Sequence, residues 1–132
     1  MESDMKWTLS VGLGAAGLAV LAACAPLPQN NRAESDFATY CAGCHGADGA
    51  GIAGVKATNL TTLSSKNGGT FPRLQVMGKI YGYTMGRSAS DMPEFGQLLE
   101  GESVPFDAGD GTITPTPKRL VELTRYLESI QQ

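Results

Sequence analysis

The motif Cys41-Ala42-Gly43-Cys44-His45 restricts what this chain can fold into more than any other stretch of its sequence. The two cysteines are three positions apart, and an α-helix has about 3.6 residues per turn. Both thiols therefore lie on one side of a short helix, and the next residue can direct its imidazole to the same side. His45 is the only histidine of the 132 residues. A site built on this motif therefore has no second imidazole from the same chain.

The C-x-x-C-H pattern is the signature of covalent haem attachment. In such a site each thiol adds to a vinyl group of the porphyrin, and the histidine binds the iron. A structural disulfide would need no adjacent histidine, and a thioredoxin-like pair needs a βαβ context that is not evident here. A structural zinc site needs four ligands, which two cysteines and one histidine do not supply without carboxylates. We therefore expect one haem c, held by Cys41 and Cys44, with His45 as an iron ligand.

The N-terminal segment has the pattern of an export signal. Residues 7–23 are apolar or small, and no charged residue lies between Lys6 and Arg32. The sequence Leu21-Ala22-Ala23-Cys24 is similar to a bacterial lipobox, in which the cysteine is lipidated and becomes the new N-terminus. The alternative is an uncleaved membrane helix, which needs about 20 apolar residues. Either anchor predicts an exported, tethered domain.

These observations predict three segments: a signal peptide over residues 1–23, a lipidated tether over 24–32, and one domain over 33–132. Glu2 and Asp4 offset the charge of Lys6, whereas signal sequences begin with positive charge. We therefore expect translation to start at Met5.

The formal net charge of the whole chain is −3, and nucleic-acid-binding modules usually have a strongly basic face. We expect no nucleic-acid partner.

Three methionines follow the motif and are candidates for the second axial ligand. Met77 belongs to an apolar helical stripe, which favours core packing. Met85 lies in a glycine-flanked stretch and remains a candidate. Met92 precedes Pro93, which lacks an N–H and fixes its φ, so this stretch is predicted to be a loop. A loop can direct a thioether to the iron, and we prefer Met92. A lysine or a water molecule could also bind there, or the position could be empty.

The stretch Cys41–Gly46, with Met92-Pro93-Glu94-Phe95-Gly96 behind it, resembles a small bacterial class I cytochrome c. The resemblance covers about residues 33–130. It implies an all-α class I cytochrome c fold, with N- and C-terminal helices crossing beside one covalently bound haem and with long glycine-rich loops. It also implies electron transfer with His45 and Met92 as axial ligands, and packing of Phe37 against Leu123 and Tyr126.

The chain departs from the family at Thr58. The family often has a proline here, shortly before a leucine, whose carbonyl oxygen accepts a hydrogen bond from the haem histidine. A threonine carbonyl can also accept that bond and hold the imidazole tautomer. The loop would be less rigid, which affects the reduction potential and the stability.

Local patterns predict the remaining elements. We expect a short amphipathic helix over 33–44, a wrapping loop over the glycine-rich residues 46–70, and a helix over 72–83 that starts with Pro72. A last helix is predicted over 116–130, with Thr116 as its N-cap and Pro117 at its first position. Four apolar residues recur along it at helical spacing: Leu120, Leu123, Leu127 and Ile130.

Charged residues are segregated along the sequence. Residues 49–90 contain five basic residues and no acid, whereas residues 91–117 contain six acids and no base. This pattern describes either an ordinary solvated surface or a dipole that orients the molecule towards a redox partner.

The stretch from Asp107 to Gly111 lacks the third acid and the closing glutamate of a calcium-binding loop, so no calcium site is expected there.

These patterns together predict a membrane-tethered, monomeric, mono-haem c-type cytochrome. It would carry single electrons between periplasmic or membrane redox partner proteins by outer-sphere transfer, and it would not be an enzyme. Two competing functions stay open. The chain could be a permanent haem-bearing subunit of a larger oxidoreductase, or, if no methionine binds the iron, an open-site peroxidase or gas sensor.

Overall fold

The computed structural model describes residues 29–82 and 91–132, and this part of the chain is mostly helical. Its helices are α1 (Gln29–Tyr40), α2 (Ala42–His45), α3 (Leu63–Lys66), α4 (Arg73–Tyr81) and α5 (Lys118–Ser129). Two 3-10 helices span Leu60–Thr62 and Gly96–Leu99, and two strands, β1 (Ser103–Asp107) and β2 (Ile113–Pro117), form one antiparallel pair. Helical predominance agrees with the predicted fold class.

Helices α1 and α5 pack against each other and carry the core. Phe37 in α1 is only 1% exposed, and its ring lies 5.4 Å from that of Tyr126 in α5, at an interplanar angle of 51°. This is the pairing that the resemblance implied. On α5, Leu120, Leu123 and Leu127 are buried on the same stripe. Burying a Leu or Phe side chain contributes about 1.5–3 kcal/mol, so this contact is a main source of stability.

The predicted helix over 33–44 is two helices in the structure. Helix α1 begins at Gln29, within the segment predicted to be a tether, and ends at Tyr40. Cys41 then takes the N-cap position of α2, and its carbonyl oxygen accepts hydrogen bonds from the N–H groups of Cys44 and His45 at 3.1 and 2.9 Å. The break lies within the C-x-x-C-H motif.

The segment 46–70 is mainly loop, as predicted, but it contains a short helical stretch over residues 60–66. Asn59 starts it, because its side-chain oxygen accepts a hydrogen bond from the Thr61 N–H at 2.9 Å. The C-terminus of the chain packs on the same stretch: the Gln131 side chain bonds the Ser64 N–H and the Leu60 carbonyl oxygen at 2.9 and 2.7 Å. The loop is thereby attached to the end of α5.

The hairpin of β1 and β2 was not predicted, and it changes how α5 begins. Thr116 belongs to β2 and donates its hydroxyl to the Thr114 carbonyl oxygen, so the prediction that Thr116 caps α5 was wrong. Pro117 takes the cap position without a side-chain hydrogen bond, and the Lys118 N–H is satisfied by the Glu102 carbonyl oxygen at 2.8 Å. A backbone group of the neighbouring segment thus replaces the expected side-chain cap.

Among residues 29–82 and 91–132, no helix combines the length and the apolar character that crossing a membrane requires. The predicted signal peptide, the lipidation residue Cys24 and the candidate ligand Met85 lie outside the described residues.

Candidate haem site

A cavity of about 510 Å³ lies between α2, α4 and the loop that contains Met92. Ligand pockets usually measure about 300–1,000 Å³, so this cavity has the size of a cofactor site. Its described walls are mostly apolar, and they include four residues that the sequence analysis selected: Cys41, Cys44, His45 and Met92.

The two thiols are at the same end of this cavity because α2 spans a single turn between them. Cys44 is exposed and Cys41 is half-buried, and no disulfide joins them. Burial, with a smaller contribution from the negative charge of Asp36, raises the pKa of the Cys41 thiol to about 11. Cys41 is therefore a neutral thiol at pH 7, so the fold itself does not activate it as a thiolate.

His45 is buried, and one of its ring nitrogens already has a partner. Its Nδ1 lies 2.9 Å from the carbonyl oxygen of Thr58. A carbonyl oxygen can only accept, so Nδ1 carries a proton, and in the neutral ring the lone pair that a metal would use is on Nε2. Threonine thus supplies the carbonyl contact that the family often obtains from a proline.

Met92 lies on the cavity wall in a non-helical stretch, as the following proline predicts. The next residues hold this stretch against the rest of the molecule. The Phe95 N–H donates to the Ile80 carbonyl oxygen of α4 at 2.8 Å, and the Phe95 ring lies 6.2 Å from the Tyr40 ring. Met77 is buried in the core and does not line the cavity. It therefore has the packing role that its position in the helix predicted.

Helix α4 contributes a cavity wall that the sequence analysis did not identify. Its cavity-lining positions are spaced as one helical face: Pro72, Gln75, Val76, Lys79 and Ile80. This face includes polar residues whose aliphatic stems can cover an apolar group. These positions have helical spacing in the sequence. Because Gln75 and Lys79 are polar, however, a search for an apolar stripe does not select this face.

The residues present fit a covalently bound haem. The cavity is mostly apolar, two thiols lie three residues apart on its wall, and the adjacent imidazole donates from Nδ1 to Thr58, which leaves Nε2 as the nitrogen for a metal. A thioether is supplied by a separate loop. Imidazole and thioether are both ligands that haem iron accepts.

Comparison with known protein families gives a match to the family described as cytochrome c over residues 32–103. Searches of curated proteins and of solved structures gave no significant match. The matched stretch covers more than half of the chain and includes the C-x-x-C-H motif, the loop with Thr58, helix α4 and Met92. Because of this match, the chain belongs to the cytochrome c family, which is characterised by covalently bound haem c and haem-based electron transfer.

Proposed function

We propose that this chain is a membrane-tethered mono-haem cytochrome that carries single electrons by outer-sphere transfer. The observation that carries the proposal is the presence of Cys41, Cys44, His45 and Met92 on the wall of one cavity. A bound haem would supply reversible one-electron chemistry at its iron. The chain's own residues would attach it, fix its iron ligands and exclude other ligands.

Covalent attachment would be the task of the two thiols. Each S–H would add across one vinyl C=C bond of the porphyrin, with sulfur bonding to one carbon and hydrogen to the other, so that no oxidant is needed. The spacing of Cys41 and Cys44 suits this reaction because both belong to a single turn of α2. The resulting thioethers would prevent loss of the haem in either oxidation state.

Iron ligation would be the task of His45 and Met92. The Thr58 carbonyl oxygen fixes the His45 tautomer that has Nε2 available. The Met92 thioether, as a soft ligand, would favour the ferrous state and raise the reduction potential. With both axial positions filled there would be no open position for a substrate, which supports a carrier rather than an enzyme.

A redox partner protein would dock where the cavity opens to solvent. Val55 and Lys56 line the cavity and are both exposed, which provides an apolar contact beside a positive charge. Asp91 lines the same cavity and is also exposed. We therefore expect a partner surface with mixed charges around an apolar centre, and association that weakens as salt screens those charges.

The test of the carrier function is a redox titration of the purified holoprotein, combined with carbon monoxide addition. We expect one haem per chain, a single reversible one-electron transition, and no rapid binding of carbon monoxide by the reduced protein. Immediate binding of carbon monoxide, or turnover of hydrogen peroxide, would indicate an open iron and would support a peroxidase or a gas sensor instead. Stable co-purification with other redox subunits under mild detergent would support a permanent subunit of a larger oxidoreductase.

Membrane tethering is proposed to occur through lipidation of Cys24. The sequence around Cys24, rather than any described part of the structure, supports this step. Cys24→Ser should abolish incorporation of labelled fatty acid and leave an unprocessed precursor. If this variant is still cleaved at the same position and stays in the membrane, the lipoprotein proposal is wrong and another anchor must take its place.

A further inference from the structure

The Arg119 side chain connects three segments of the fold. From α5 it donates two hydrogen bonds to the Asp36 carboxylate of α1, Nε to Oδ2 at 3.1 Å and Nη2 to Oδ1 at 2.7 Å. Its third nitrogen, Nη1, donates to the carbonyl oxygen of Leu98 at 2.5 Å. The Asp36 side chain is 11% exposed and that of Arg119 is 30% exposed. The pair with Asp36 is therefore partly shielded from water, whereas the bond to the Leu98 carbonyl oxygen is exposed.

Two of these segments lead to residues that line the cavity, Cys41 and Met92. Helix α1 runs directly into the attachment motif, because the Cys41 N–H still bonds the Phe37 carbonyl oxygen at 2.9 Å. Leu98 belongs to the 3-10 helix Gly96–Leu99, which directly follows the loop of Met92. Arg119 therefore links the wall that carries Cys41 to the loop that carries Met92.

The hydrogen bond to Leu98 is a main anchor of this 3-10 helix. Carbonyl groups near the end of a helix have no partner within it, and Arg119 supplies one for Leu98. The Leu98 side chain is exposed, so its packing contributes little to holding the segment. Other anchors include the buried Leu99, the buried Gly96 that packs against Tyr81, and the bond from the Phe95 N–H to Ile80.

We propose that Arg119 is a positioning residue for Met92, and that it determines how firmly the thioether stays on the iron. The inference rests on the proposed function, in which Met92 is an axial ligand. When the Leu98 anchor is lost, the loop has more freedom to move away from the cavity. The equilibrium between thioether-bound and thioether-free iron then shifts towards the free form, which external ligands can occupy.

Asp36 alone cannot explain this arrangement, because an Asp–Arg pair needs only two of the guanidinium donors. The hydrogen bonds to Asp36 are the main reason why the pKa of Arg119 is raised, with a smaller contribution from Tyr40 and with burial acting in the opposite direction. Arg119 is thus charged at all working pH values. The third donor is the one that reaches Leu98, in the 3-10 helix that follows the methionine loop.

The experiment is an equilibrium titration of the oxidised holoprotein with cyanide, which competes with the thioether, while the weak thioether–iron absorption band is recorded. Arg119→Gln removes the guanidinium group and its charge. Arg119→Lys retains the charge but cannot supply three planar donors. Arg73→Gln is the matched control. Arg73 makes the other forked pair with α5 within the described residues, donating to Glu128 at 2.9 and 2.6 Å, and neither of these bonds reaches the methionine loop.

We expect cyanide affinity to rise about tenfold in Arg119→Gln, which corresponds to about 1.4 kcal/mol. Arg119→Lys should show a smaller rise in the same direction, and Arg73→Gln should stay within about twofold of wild type, the ordinary scatter for distant sites. The free energy of unfolding of all three variants is measured with denaturant. If cyanide affinity followed general stability, Arg73→Gln would raise it in proportion to its own loss of unfolding free energy.

Equal cyanide affinities of the Arg119 and Arg73 variants, with the thioether band intact in wild type, would overturn this inference and leave the proposed function standing. A wild-type protein that lacks the band and binds cyanide at once would overturn the proposed ligation by Met92, and the positioning role of Arg119 with it.

Discussion

The thioether of Met92 is the group on which the distinction between carrier and enzyme depends. Met92 shares the cavity with His45, whereas Met77 is buried elsewhere in the core. Both are methionines with the same donor atom, so only the position in the fold distinguishes their roles.

We predict that Met92→Ala abolishes the thioether–iron absorption band of the oxidised protein, lowers the reduction potential and allows rapid binding of carbon monoxide by the reduced form. Loss of a soft ligand that favours ferrous iron is the physical reason. Met77→Leu should leave all three properties nearly unchanged and cost less than about 1.5 kcal/mol of unfolding free energy, because it conserves volume.

Met85→Leu is the second comparison, because Met85 was the other methionine candidate in the sequence. We expect its absorption band and potential to match those of the wild type. Loss of the band in Met85→Leu and its retention in Met92→Ala would reassign the axial ligand to Met85, and the carrier function would remain.

For single residues, the sequence predicts contacts between neighbours along the chain and misses contacts between residues far apart in sequence. The C-x-x-C-H motif is readable because its three functional residues lie within one helical turn. The pair of Arg119 and Asp36 joins residues 83 positions apart, and neither is surrounded by a pattern that selects the other. The carbonyl contact of Thr58 was expected only because the resemblance provided a position for it.

At the scale of elements, the end of α4 depends on one glycine. Gly82 has φ +102° and its N–H bonds the Gly78 carbonyl oxygen at 3.0 Å. A Cβ atom at Gly82 would lie 2.6 Å from Cδ of Glu94, two residues beyond Met92. The left-handed conformation therefore lets the chain turn closely beside the methionine loop.

We predict that Gly82→Ala lowers the free energy of unfolding by about 1–2 kcal/mol because of the backbone conformation, since the exposed Glu94 side chain can rotate away from the new Cβ. Chemical denaturation of the holoprotein measures this. Gly78→Ala is the matched control: it lies within α4, and a Cβ there meets nothing within 4 Å. It should stabilise the helix by about 0.5–1 kcal/mol. Equal stabilities of the two variants would contradict this account of the α4 terminus.

The hairpin shows why some elements could not be read from sequence. Its strands contain Pro105, Pro115 and Pro117, and proline within a run is ordinarily evidence against a strand. A two-stranded sheet has only edge strands, where a missing N–H is tolerated. The turn is closed by Asp107, whose Oδ1 accepts from the N–H groups of Gly109 and Gly111 at 2.7 and 3.1 Å. The carboxylate that could suggest a calcium ligand is thus used by the backbone.

At the scale of the whole molecule, the segregation of charge along the sequence becomes less pronounced in the fold. Arg73 of the basic stretch pairs with Glu128, and Glu102 of the acidic stretch lies 3.3 Å from Lys118. Both partners come from α5, outside the two stretches. A dipole between the two stretches is therefore weaker than their net charges suggest.

The cavity itself is a property of the whole molecule. It is lined by residues from Phe37 in α1 to Leu127 in α5, with α2, the Thr58 loop, α4 and the methionine loop between them. The C-x-x-C-H motif predicted a haem site with Cys41, Cys44 and His45, and the proline after Met92, together with the family resemblance, favoured Met92 as the second ligand. The wall formed by α4 and the link through Arg119 have no local sequence signal, because they depend on how distant segments pack.

The most direct test of this account is the intact mass of the purified mature protein after denaturation and acid–acetone treatment. We predict a mass increase of one haem that survives both steps, with no thiol at Cys41 or Cys44 left to react with an alkylating reagent. The Cys41→Ala and Cys44→Ala variants should each retain at most one thioether bond, and the variant lacking both thiols should release its haem. Complete extraction of haem from the wild-type protein, or two alkylated thiols in a chain of unmodified mass, would contradict the central claim that this cavity holds a covalently attached haem.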